Sequence, residues 1–204
     1  MKQRAARGRR AGLLAAAVGG ALLLAPAPEA AAEFRTSDVT GQGYGDAMPA
    51  LIGQDGRTRK REDFKGRVTV LFFGFTHCPD LCPTALANLA DAIDRLGEDR
   101  DRVAVAFVTV DPERDMPETL HDYLHAFGPS FFGLTGDHEA IRATAKAFHV
   151  FFQKVPLADG GYTMDHSATA YIFDPQARVR LMFTTSRVAD DVATDILALL
   201  HEAE

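Results

Sequence analysis

One stretch, residues 68–83, constrains the fold more than any other. Val68-Thr69-Val70-Leu71-Phe72-Phe73-Gly74-Phe75 is apolar almost throughout. A strand buried on both faces has that composition. It runs directly into Thr76-His77-Cys78-Pro79-Asp80-Leu81-Cys82-Pro83, which contains both cysteines of the chain. Beyond Pro83, Leu86, Leu89, Ala90, Ile93 and Leu96 recur at helical spacing, and Gly97 is placed to end the helix. A buried strand, a dithiol turn and an amphipathic helix in that order suit either a redox pair or a clamp for a soft metal.

The rest of the chain supplies the partners of that unit. Val103–Val110 reads as a second buried strand, and Pro117 opens a second helix carrying Leu120, Tyr123, Leu124 and Phe127. Asp137 is positioned to N-cap a third helix with Ile141, Ala145 and Phe148 on one face. Val150-Phe151-Phe152 reads as extended. Ala168–Phe173 and Val179–Phe183, joined by Asp174-Pro175-Gln176-Ala177, give a hairpin signal, and Val188, Val192, Ile196, Leu199 and Leu200 mark a last helix. The expected fold is α/β and thioredoxin-like: a central mixed sheet flanked by helices, with residues 132–152 as an insertion.

Residues 1–32 read as a targeting segment. Lys2, Arg4, Arg7, Arg9 and Arg10 precede an uncharged Ala/Leu-rich stretch, and Ala30-Ala31-Ala32 offers a cleavage site. The stretch is short for a bilayer span of ~20 apolar residues, so a cleaved signal peptide is the first reading and an inner-membrane anchor the second. Residues 33–46 read as a linker and 47–204 as the folded domain. Setting aside residues 1–32 removes five of the 22 basic and one of the 28 acidic side chains, leaving 17 against 27. So acidic a surface is a poor match for nucleic acid. Export, to the periplasm on this reading, places Cys78 and Cys82 where thiols are oxidised, and a disulfide is expected when no metal occupies them.

Cys78 and Cys82 are four residues apart, so a helix starting near them puts both sulfurs on one side of its first turn. The helix N-terminus is expected to stabilise thiolates there. Two features separate metal from redox chemistry. The spacing is one residue longer than the Cys-x-x-Cys of redox enzymes with this fold. The cis-proline that faces the dithiol in those enzymes is missing from Met164-Asp165-His166-Ser167, where His166 stands instead. Two thiolates and an imidazole suit copper, as Cu(I) or Cu(II), with a Cys2His zinc site as the competitor. A thiol peroxidase lacks its required proline frame before Cys78. His77 and Met164 are weaker donor candidates. His121, His125, His138, His149 and His201 are expected to be solvated or packed, without mutual ligand spacing.

Gly74–Pro83 closely resembles the CxxxCP signature of the Sco/SenC family of copper-binding assembly proteins. Asp165-His166-Ser167-Ala168 is similar to that family's ligand-histidine segment, and Asp111-Pro112-Glu113-Arg114-Asp115 to its acidic DPxRD stretch. The resemblance runs from about Gly45 to Leu200. It implies a thioredoxin-like domain that binds copper through Cys78, Cys82 and His166. It further implies delivery of copper to the binuclear copper site of cytochrome c oxidase subunit II or another copper-dependent client, reduction of that client's cysteines, and a copper-donor chaperone upstream. An exported thiol-disulfide oxidoreductase acting through Cys78 and Cys82 is the alternative. Many family members carry an N-terminal anchor, from which this chain's short apolar segment departs. The lysine-to-aspartate stretch 154–165 is expected to be a mobile loop that moves His166. Asp111 and Asp115 are expected to form a capped turn, with partner recognition or support of the site as a further role.

Overall fold

The computed structural model describes residues 33–158 and 160–202; the targeting segment expected at residues 1–32 lies outside them. In chain order the strands and helices are β1 Ser37–Asp38, β2 Leu51–Gly53, β3 Thr58–Arg59, β4 Val68–Gly74, α1 Leu81–Asp94 and β5 Val103–Thr109. There follow α2 Pro117–His125, β6 Phe131–Thr135, α3 His138–Ala147, β7 Phe152–Pro156, β8 Tyr162–His166, β9 Thr169–Phe173, β10 Val179–Thr184 and α4 Ala189–His201.

The apolar run becomes β4, buried at all seven positions because it lies in the middle of an eight-stranded sheet ordered β1-β10-β9-β4-β5-β6-β2-β3. Its register with β5 is parallel, Val68 opposite Val103 through Gly74 opposite Thr109. On its other side β9 runs antiparallel, with Phe72 opposite Ala170. The sheet is therefore mixed, and its two innermost parallel strands carry no charge, as burial on both faces requires. α1 packs against α4, and α2 packs on β6. Gly133 in β6 permits the second contact: a Cβ there would stand 2.6 Å from Leu120 Cβ.

Two sequence expectations change. The insertion after α2 contains a sheet strand, β6, parallel to β5, so it widens the sheet before α3 begins. Asp137 caps α3 as expected, its carboxylate accepting from Ala140 N–H at 2.8 Å. The linker reading of residues 33–46 does not hold. Ser37 and Asp38 pair with Met182 and Leu181 on β10, and Val39 is buried. Arg35 N–H, Thr36 N–H and the Thr36 hydroxyl all donate to Asp195 of α4, at 2.7, 2.9 and 2.6 Å. Asp195 is buried, and among the described residues these three donors satisfy it. The glycines of this stretch serve a tight course. Gly45 has φ +72°, and a Cβ on it would meet the Phe148 ring. The folded domain thus begins before residue 47. Among the described residues no helix is long and apolar enough to cross a membrane.

Candidate metal centre

β4 ends at Gly74, and the chain turns through Phe75–Asp80 into α1. Cys78 lies in the turn, with its N–H on Phe75 O at 3.2 Å. Cys82 is the second residue of α1 and fully buried, and its N–H points at Cys78 Sγ, 3.4 Å away. Cys78 precedes the helix, and this contact sets its sulfur against Cys82 in the first turn of α1. Pro83 sits inside that turn, two residues after the helix begins at Leu81, where its missing N–H costs no helical bond. Gly74 makes room for Cys82: a Cβ at residue 74 would stand 3.0 Å from Cys82 Sγ and 2.7 Å from Phe107 Cε2. We expect Gly74→Ala to cost about 1–3 kcal/mol through overpacking and to weaken metal binding by displacing Cys82. Urea unfolding read beside a copper titration checks both, and unchanged values in both would refute it.

His166 approaches from the other side. Its Nδ1 lies 3.0 Å from Ser167 O, which is satisfied only if Nδ1 carries the proton. Nε2 is then a bare lone pair, and it stands 3.7 Å from Cys82 Sγ. The Phe75 ring meets the imidazole edge-on at 5.9 Å. Burial holds His166 below the ordinary imidazole range, so it is neutral at neutral pH and needs no deprotonation to act as a donor. Met164, buried, lines the groove between His166 and Cys78, together with Pro79, Asp80 and Leu81.

Cys82 corrects an expectation. Its thiol is pushed well above the ordinary range, first by burial and then by the neighbouring Cys78 sulfur, against the lowering effect of a hydrogen bond from the Phe75 backbone. Desolvation outweighs the helix N-terminus here. Cys82 is therefore a protonated thiol in the metal-free domain, not a standing thiolate. Both cysteines are free. Among the described residues no group of three or more His, Cys, Asp and Glu side chains is already gathered around an ion-sized point. The dithiol and imidazole are neighbours that a metal would draw together.

The expected mobile loop at 154–165 is instead an antiparallel ribbon. β7 and β8 pair from Pro156 opposite Tyr162 to Phe152 opposite His166. The sequence did not disclose it because Phe152–Pro156 is only partly buried and lacks clean alternation. The acidic stretch also proves structural. Asp115, fully buried, accepts from Thr76 N–H at 3.0 Å, the Thr76 hydroxyl at 2.6 Å and the Thr109 hydroxyl at 2.6 Å. It fastens the residue two positions before Cys78 to the end of β5. Asp111 accepts from the Tyr162 hydroxyl at 3.0 Å and pairs with Arg114. His77 is half exposed and bonds Thr76, so it does not join the sulfurs. His121 and His125 do share a helical spacing, with rings 6.1 Å apart, but no third donor accompanies them among the described residues.

This combination, a thioredoxin-like sheet with a dithiol at the start of α1 and a histidine facing it, defines a class of metal- or redox-active domains. The SCO1/SenC family model matches residues 46–201, and the chain belongs to that family. It is 41% identical over 154 residues to "Protein SCO1 homolog 1, mitochondrial" of Arabidopsis thaliana, covering 75% of this chain and 46% of that protein. The chain spans between about half and two thirds of the length of such curated relatives. Among solved structures it is similar to Arabidopsis thaliana ScoI with copper bound, at TM-score 0.71 and 34% identity over 75% of this chain and 96% of that one. It is likewise similar to Bradyrhizobium japonicum ScoI with copper bound, at TM-score 0.67 and 40% identity over 72% and 94%.

Proposed function

We propose that the reduced domain takes up one copper ion through Cys78, Cys82 and His166 and passes it to a copper-dependent client. The observation that carries this is the bare Nε2 of His166 aimed at the Cys82 sulfur from 3.7 Å, with Nδ1 occupied elsewhere. A pure dithiol reagent has no need of that lone pair. The donor set of two soft sulfurs and one imidazole suits copper, and copper-bound relatives support the choice. Three donors leave a position for a thiolate of the client, so transfer proceeds by ligand exchange. Family membership supports a client in cytochrome c oxidase assembly, and we infer the binuclear copper site of subunit II as its form, with a copper-donor chaperone loading the domain. Export to the periplasm, by a cleaved or an anchoring N-terminal segment, fits the family's mitochondrial and bacterial members.

A second reading rests on exposure. Cys78 is half-buried beside an open groove and Cys82 is buried behind it, the arrangement of an attacking and a resolving thiol. Cys78 would attack a client disulfide and Cys82 would then attack the mixed disulfide. The domain's two thiols lose two electrons and two protons, and the client's two sulfurs gain them. The oxidised domain then carries a Cys78–Cys82 disulfide that binds no copper. His166→Ala separates the readings. We expect it to weaken copper binding, measured anaerobically against a competing chelator, far more than it slows reduction of a disulfide client. Tight copper binding by the variant with lost reductase activity would leave the oxidoreductase reading standing alone.

The state of Cys82 sets the pH dependence. Copper must displace its proton, so higher pH favours binding. Apparent affinity should rise by about tenfold per pH unit for each proton released across neutral pH. Chelator competition at several pH values measures it, and a flat profile would contradict a protonated Cys82.

A further inference from the structure

The ribbon that carries His166 belongs to no larger sheet: β7 and β8 pair only with each other. Two strands alone hold a shape poorly in water. Open space borders the ribbon on two sides. One groove runs between it and Cys78, and a second lies between Met164, Phe152 and Lys154 on the ribbon and Glu113, His138 and Arg142 beyond it. Met164, in the middle of β8, is buried against the core, and the start of the strand needs an attachment of its own.

Tyr162 supplies the fixture. It begins β8, and His166 ends the same strand four residues later, so both side chains fall on one face. The Arg114 guanidinium and the Lys154 ammonium each stand 3.8 Å from the centre of the Tyr162 ring. The Tyr162 hydroxyl donates to Asp111 at 3.0 Å, and Arg114 Nη1 donates to Tyr162 O at 3.1 Å. Lys154 is held in turn by Glu113 at 2.7 Å, and Arg114 by Asp111. The partners outside the ribbon come from residues 111–114, and Asp115 ties that same turn to Thr76, just before Cys78. The chain of contacts runs unbroken from the dithiol turn through Asp115, Asp111 and Arg114 to Tyr162 and along β8 to His166.

We propose that Tyr162, clasped by Arg114, Lys154 and Asp111, is a positioning residue that sets the distance of His166 from the two sulfurs. It touches no metal and acts only through His166. This rests on the copper reading for its use and on the ribbon's geometry for its existence, and the two are tested separately.

The experiment compares wild type, Tyr162→Ala and Tyr162→Phe, each with and without His166→Ala. Tyr162 is only partly buried, and Tyr162→Phe keeps the ring and its cations while losing the hydroxyl. In the reduced, metal-free proteins, hydrogen exchange of the β8 and Ser167 amides should quicken at least about tenfold in Tyr162→Ala and less in Tyr162→Phe, with β4 and β5 unchanged. Cu(I) affinity, read by chelator competition, should fall about tenfold on Tyr162→Ala when His166 is present and not at all when it is absent. Unchanged exchange in the ribbon would overturn the proposal. So would an affinity loss of equal size in both backgrounds. Failure of the wild type to bind copper would defeat the copper reading, and the exchange result would then decide the clasp alone.

Discussion

Cys82→Ala is expected to lower copper affinity by orders of magnitude while leaving the domain folded. Each sulfur is a soft donor that binds as an anion, and among the described residues no other anionic group is free to replace it: His77 bonds Thr76, and Asp115 is enclosed by its three donors. Cys78→Ala should do the same. The structural cost of Cys82→Ala is that of losing one buried sulfur from a well-packed helix start, about 1 kcal/mol, so a fall in affinity will not be a symptom of unfolding. His166→Ala should cost less than either, because two sulfurs alone still bind Cu(I). Anaerobic chelator competition with circular dichroism of the same samples gives the comparison. Full affinity in either cysteine variant would remove it from the site.

The largest structural effect is expected at Asp115. Asp115→Ala removes the acceptor of Thr76 N–H and of two hydroxyls, that of fully buried Thr109 and that of partly buried Thr76. Each buried unsatisfied group costs about 1–3 kcal/mol, so the variant should lose about 3 kcal/mol or more in urea unfolding. Copper affinity should fall with it, since Thr76 anchors the turn that holds Cys78. Asp115 also carries a pH signature. Burial raises its carboxyl above the ordinary range, outweighing the hydrogen bonds that pull it down. A raised folded pKa makes its contribution greatest when the group is protonated, and that contribution is lost as pH rises through the folded value. Asp115→Asn lacks this titration. The stability of wild type relative to Asp115→Asn should therefore decline as pH rises above the ordinary carboxyl range. A difference that grows with pH would show that the hydrogen bonds, not burial, dominate.

The sequence disclosed most where one physical signal acted alone. β4 and β5 are uninterrupted apolar runs, and only a central sheet position buries both faces of such a strand. α2 and α3 were marked at their starts by Pro117 and Asp137. The site was legible because cysteines are scarce: two in 204 residues, four apart, after a buried strand. Three things were hidden. β1 is two residues long and exposed, so its anchoring depends on Asp195, some 160 residues away. The ribbon is held at Tyr162 by Arg114 and Lys154, contacts that hydrophobic periodicity does not register. The protonation of Cys82 depends on complete burial, a tertiary property that overrides the local helix N-terminus. The acidic stretch 111–115 was visible as a motif. Its job of joining the dithiol turn to the ribbon appears only when Thr76 and Tyr162 are brought to it.

The most direct test of the copper reading is X-ray absorption at the copper edge of the reduced, anaerobically loaded domain. One copper per chain is expected, in a three-coordinate shell of two sulfurs and one nitrogen, with the nitrogen scattering lost in His166→Ala. A shell of oxygen and nitrogen donors without sulfur, or one unchanged by His166→Ala, would contradict it.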